Sequence, residues 1–106
     1  MIRLKPGARF LGMRADLAFA LQLVESAHYA VGVSEVWVTS ITDEAARRAP
    51  ASRHRLGAAV DIRRPDIHGT LPATQNISDL VDAIADELGA EALVILEDDH
   101  IHIQLQ

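Results

Sequence analysis

The chain contains no cysteine. That absence removes disulfide staples, thiolate zinc knuckles and cysteine nucleophiles together, and it requires any metal site to be built from His, Asp and Glu. No stretch approaches the roughly 20 apolar residues that a membrane-spanning helix needs, so no membrane insertion is expected. The opening MIRLKPGARFLG lacks the apolar h-region of a signal peptide, and synthesis in the cytoplasm without one is the expectation. Basic charge is scarce as well. Ten Lys and Arg against fifteen Asp and Glu leave a formal net charge of -5, which argues against a sequence-independent nucleic-acid binder. Repeats, low-complexity tracts and Gly/Ser linkers are missing, so nothing marks an internal boundary.

What is present suits one compact domain over residues 1–106, with 49% of residues apolar and 24% charged. The bases are unevenly placed. Arg47, Arg48, Arg53, Arg55, Arg63 and Arg64 crowd one arc, and no Lys or Arg follows Arg64. The chain is therefore locally cationic in its middle and acidic toward its end. Nothing in it bears on oligomeric state.

Leu17, Ala20, Leu21, Val24, His28 and Val31 recur at helical spacing, and Gly32 is placed to end the helix, which predicts a helix over about 15–31. Glu35 to Ser40 reads as a strand with Val36, Val38 and Ser40 on one face and Trp37 and Thr39 on the other. Residues 41–56 are polar and broken by Pro50, with one short turn expected through Asp43 to Arg47. Gly57 to Arg63 suits a second strand. Asn76 is an N-cap for a helix whose stripe is Ile77, Leu80, Val81, Ile84 and Leu88, with Gly89 at its C′ position. Ala92 to Leu96 and His100 to Gln106 then form a hairpin. The expected fold class is α+β, a mainly antiparallel sheet with helices packed on one face.

Two clusters hold nearly all the unusual residues: Ser52-Arg-His54-Arg-Leu-Gly57-Ala-Ala59-Val-Asp61 and Glu97-Asp-Asp99-His100-Ile-His102. Strand alternation puts His100, His102 and Gln104 on one face. Gly57, Ala59, Asp61 and Arg63 likewise share a face, and two very small residues leave space beside the carboxylate. If the two strands are neighbours, His54, Asp61 and one terminal His converge as a two-His, one-carboxylate set. Three protein ligands around zinc leave one position for water, the arrangement of a catalytic site, and amide hydrolysis is its natural use. The plain alternative is a half-exposed polar strand face with no metal. His28, in the last turn of the first helix, is read as structural, a cation there complementing the helix dipole. His68 is read as exposed in a turn, and Trp37 as core packing or cleft wall.

The string Ser52-x-His54-x-x-Gly57-x-Ala59-x-Asp61, followed by Asp99-His100-x-His102, resembles the zinc peptidases grouped as D-Ala-D-Ala metallopeptidases, lysostaphins and hedgehog-like domains. It is most similar to short phage-type peptidoglycan peptidases of the D-alanyl-D-alanine carboxypeptidase kind. The resemblance runs from about Val36 to the C-terminus. It implies a hedgehog/D,D-peptidase-like fold, zinc as cofactor, His54 and Asp61 as ligands, and Ser52 as a residue orienting the His54 loop. The chain's end permits two registers. In one, His102 is the third ligand, Asp99 is the base, and His100 stabilises the oxyanion. In the other, Glu97 and His100 form a Glu-x-x-His pair. The first is preferred because Asp-His-x-His sits at the start of the last strand, although Asp99 then needs the turn at Asp98-Asp99 to re-aim it.

The implied substrate is a peptidoglycan stem peptide, cut by a carboxypeptidase or an endopeptidase at the cell wall, after phage-type release or from a virion. One departure is plain. Many relatives carry Ser-Gly-x-Arg, whose Arg grips the substrate, where this chain has Ser40-Ile-Thr42-Asp43. Arg47, Arg48, Arg53 and Arg55 are candidate replacements, because Arg binds carboxylates bidentately; a solvated charged loop is the equal alternative. A non-catalytic zinc-containing binding module of a virion or cell-wall component stands as the second reading, since this fold does not by itself imply hydrolysis.

Overall fold

The computed structural model describes residues 1–9, 12–42 and 57–106. Ser52, His54, the turn expected over 43–47, and Arg47, Arg48, Arg53 and Arg55 lie outside the described residues. Among those described, the elements run β1 (Ile2–Leu4), α1 (Ala15–Ala30), β2 (Val36–Ser40), β3 (Ala59–Arg63), α2 (Ile77–Leu88), a 3-10 turn (Gly89–Glu91), β4 (Ala92–Leu96) and β5 (His100–Leu105). The strands form one sheet in the order β1-β2-β3-β5-β4. Every pairing is antiparallel except β1 with β2. That exception follows from connectivity, since a helix crossover between two neighbouring strands leaves them parallel. Three exposed residues with no alternation gave no sign of β1. No described helix is long and apolar enough to cross a membrane.

The α+β expectation holds, and both helices contribute to one core on a single sheet face. Leu17, Val24 and Ala27 of α1 and Leu80 and Ile84 of α2 are fully buried with Val36, Val38, Ile62, Ile101 and Ile103 from the strands. These are the inward positions of each period. Helix α2 opens with a capping box in which the Asn76 N–H donates to the Asp79 carboxylate at 2.8 Å, and each such device satisfies a donor the first turn cannot pair.

Two readings need correction. Val38 pairs with Ile62 but Ser40 pairs with Asp61, so β2 spends one extra residue at Thr39. This bulge reverses the strand's parity and brings Ser40 onto the Asp61 face, away from Val36 and Val38. His28 is structural and in the last turn of α1 as expected, but its setting disfavours the cation. It is 1% exposed, its Nδ1 donates to the Val24 carbonyl at 2.7 Å, and burial holds its pKa below the ordinary value while that bond and Glu25 act the other way.

Gly57 has φ +68°, and a Cβ there would overlap the backbone carbonyl of Gly12, while its own carbonyl accepts the Arg14 N–H at 3.0 Å. A residue at this crossing of two backbones must be glycine. Gly57→Ala is expected to cost about 1–3 kcal/mol from backbone strain alone, read as a lowered urea midpoint; an unchanged midpoint would show that the crossing relaxes freely.

The His28 shift fixes a sign for pH. The unfolded chain takes up a proton near pH 6.5 that the folded chain refuses, so stability falls as pH drops below that value, by up to about 1.4 kcal/mol per pH unit. Urea unfolding at pH 7.5 and 5.5 should show a smaller loss in His28→Gln than in the parent. Equal slopes would remove His28 as the cause.

Candidate metal centre

Antiparallel pairing of β3 with β5 sets Asp61 directly opposite His102 and Arg63 opposite His100. Because Val60, Ile62, Ile101 and Ile103 turn into the core, alternation sends Ala59, Asp61 and Arg63 and His100, His102 and Gln104 to the other face. Asp61, His100 and His102 each offer a ligand atom, and these atoms lie within 4.8 Å of one another. Their side chains are 17%, 29% and 17% exposed, respectively. The group is thus sheltered yet reachable.

The two imidazoles reach the same carboxylate oxygen through different nitrogens. His102 Nδ1 donates to Asp61 Oδ1 at 2.9 Å, and His100 Nε2 stands 3.5 Å from the same oxygen. Each ring's other nitrogen meets an acceptor: His100 Nδ1 donates to Asp99 Oδ1 at 2.6 Å, and His102 Nε2 to Gln104 Oε1 at 2.8 Å. One nitrogen toward the centre and the other anchored on an oxygen is the pattern of metal-ligating histidine, because the anchor sets tautomer and ring angle. Two imidazoles and one carboxylate make a donor set that suits a first-row divalent ion. The chain therefore carries a group able to hold a metal.

Electrostatics agree with that geometry. The hydrogen bond that His102 donates to Asp61 chiefly holds the His102 pKa above its ordinary value against partial burial, with Gln104 and the charge of Glu97 adding to it. That upward shift favours the protonated ring, so metal uptake at Nδ1 competes with a proton. The bond from His100 pulls the Asp99 carboxyl below the usual range.

The turn between β4 and β5 is held from outside. Arg64 Nη1 donates to the carbonyls of Glu97 at 2.9 Å and Asp98 at 3.2 Å, and Asp66 grips the same guanidinium at 2.7 and 3.2 Å. The Glu97 N–H donates to the His100 carbonyl at 2.9 Å. On β4, Leu93 and Ile95 pair with Gln104 and His102, so Glu97 follows at the parity of the metal-facing side. Next to Asp61, Thr39 Oγ1 donates to the Asp61 carbonyl at 3.2 Å, at the β2 bulge. Bulges beside sites commonly re-aim local side chains.

Of the residues read from sequence, the structure brings Asp61 and His102 together and adds His100 to the same group. Asp99 is placed on the outer nitrogen of His100, with its side chain 88% exposed, and is not turned over the group. Ser52 and His54 fall outside the described residues. Sequence reasoning gave Gln104 and Arg64 no role. The alternation His100-x-His102-x-Gln104 carried a signal for Gln104, whereas nothing local announces a contact from Arg64 to a turn 33 residues away. No protein-family model, curated protein or solved structure matches the chain.

The ligand assignment predicts that Asp61→Ala and His102→Ala each lose most divalent-metal binding when measured by elemental analysis after dialysis. Gln104→Ala should retain the ion with an affinity lowered about 10- to 100-fold. Parent-like affinity in His102→Ala would place any bound ion elsewhere.

Proposed function

We propose that the chain is a zinc-dependent peptidase acting on the stem peptides of bacterial peptidoglycan. The observation that carries this reading is the convergence of the His100-x-His102 pair on Asp61 across the β3–β5 ladder. The upstream string Ser52-x-His54-x-x-Gly57-x-Ala59-x-Asp61 supports it through the resemblance described above. Zinc, when bound to three protein ligands, polarises the scissile carbonyl and activates water toward a pKa of about 7.

The chain's own residues divide the remaining work. In this reading His54, Asp61 and His102 hold the ion. His100, the more exposed ring and the one farther from Asp61, is then left to donate from Nε2 to the developing oxyanion when its ring carries a proton on each nitrogen, with Asp99 accepting from Nδ1. A preorganised donor of this kind is worth about 2.7–4 kcal/mol. Gln104 holds the His102 ring angle. Proton transfer falls to Glu97 in place of Asp99. Glu97 takes a proton from water and passes it to the leaving amine, and its charge already reaches His102. Asp99 is committed to His100 and acidified by that bond, which opposes the near-neutral pKa a base needs. The site of action is the cell wall.

The test is cleavage of purified muropeptides with and without a chelator. Activity that chelation abolishes and zinc restores is expected, and Glu97→Gln should keep its zinc while turnover drops about 10²- to 10⁴-fold. Full zinc occupancy with no cleavage of any wall fragment would defeat the peptidase reading and leave a binding module.

A further inference from the structure

The metal-facing side of the sheet carries a second row beside Asp61 and His102. Arg3 pairs with Trp37 across β1–β2, Trp37 precedes the Val38–Ile62 pair and so lies across from Arg63, and Arg63 pairs with His100. The row therefore reads Arg3, Trp37, Arg63, His100. Two guanidinium groups lie over the single indole, that of Arg63 at 4.6 Å from the ring centroid and that of Arg3 at 5.9 Å.

The two cations are not equivalent. Glu35 accepts from Arg3 Nε at 2.9 Å and from Trp37 Nε1 at 3.0 Å, so it neutralises Arg3 and locks the indole. Arg63 has no carboxylate partner among the described residues, and its one interaction is with the indole. Stacking uses the flat face of a guanidinium and leaves the N–H groups on its rim free, in the fork geometry that matches a carboxylate. A half-buried arginine of fixed orientation, without a counter-ion among the described residues and directly opposite His100 of the metal group, is a preorganised anion receptor.

We propose that Arg63, held by Trp37, binds the C-terminal carboxylate of the peptide whose terminal bond lies over the metal group. Arg63 is two residues along β3 from Asp61 and directly opposite His100, and a carboxylate held there is assigned to the residue being released. The enzyme is then a carboxypeptidase, and a stem peptide with a blocked C-terminus is a poor ligand. The identity of the peptide rests on the peptidase reading; the anion receptor itself does not.

The experiment uses the zinc-loaded full chain with two probes, N-acetyl-D-Ala-D-Ala and its C-terminal amide, read by calorimetric binding and by hydrolysis. The parent should bind the free acid at least 10-fold more tightly than the amide. Arg63→Gln should erase that preference and raise KM with little change in kcat, with zinc content and melting temperature as in the parent. Arg63→Lys should restore only part of it, because an ammonium cannot fork, and Trp37→Leu should weaken it while the arginine remains. A parent without preference for the acid, or an Arg63→Gln variant that keeps it, overturns the assignment. The two proposals fail separately: Arg63-dependent binding of the free acid with no cleavage of either probe or of purified muropeptides refutes the peptidase and upholds the receptor, whereas hydrolysis indifferent to Arg63→Gln does the reverse.

Discussion

Five consecutive residue pairs between β3 and β5, Ala59 with Gln104 through Arg63 with His100, are the constraint on which the candidate centre rests. A slip of one residue would turn His100, His102 and Gln104 into the core and expel Ile101 and Ile103. The register is held from the far side, by Val60, Ile62, Ile101 and Ile103, all 0–1% exposed. Burying each such side chain is worth about 1.5–3 kcal/mol, more than an exposed ion pair contributes. Apolar burial on one face thus sets the placement of polar ligands on the other.

Around that ladder, the ligand group is assembled before any ion arrives. Asp61 draws both imidazoles toward one oxygen, while Asp99 and Gln104 hold their outer nitrogens. Arg64 ties the turn that launches β5, and Asp66 keeps Arg64 in place. A centre supported in this way loses little conformational freedom on binding, which is the condition for tight and geometrically selective coordination.

Much of the scaffold was legible because its signals are periodic. The α2 stripe ending in Gly89 and the alternating His100 to Leu105 run each point to one structure, and both elements lie within a residue or two of where those patterns put them. Local pattern failed where the cause was distant or brief. β1 is three exposed residues that acquire a partner only through the α1 crossover. The β2 bulge, which moves Ser40 to the Asp61 face, is set by pairing and not by composition. For the site, alternation placed Asp61, His100 and His102 on their faces, but which ring nitrogen meets which oxygen depends on rotamers that only packing selects. The Arg63–Trp37 stack was hidden for the same reason, since it joins residues on two strands far apart in sequence.

Strand alternation has divided the labour of this small sheet so completely that chemistry and cohesion draw on separate residues. Asp61, Arg63, His100, His102 and Gln104 are all absent from the buried apolar cluster, whose members lie behind them. Such a scaffold can surrender every polar ligand by mutation and still fold, or gather a different set on the same ladder. The architecture does not depend on the polar set it now displays.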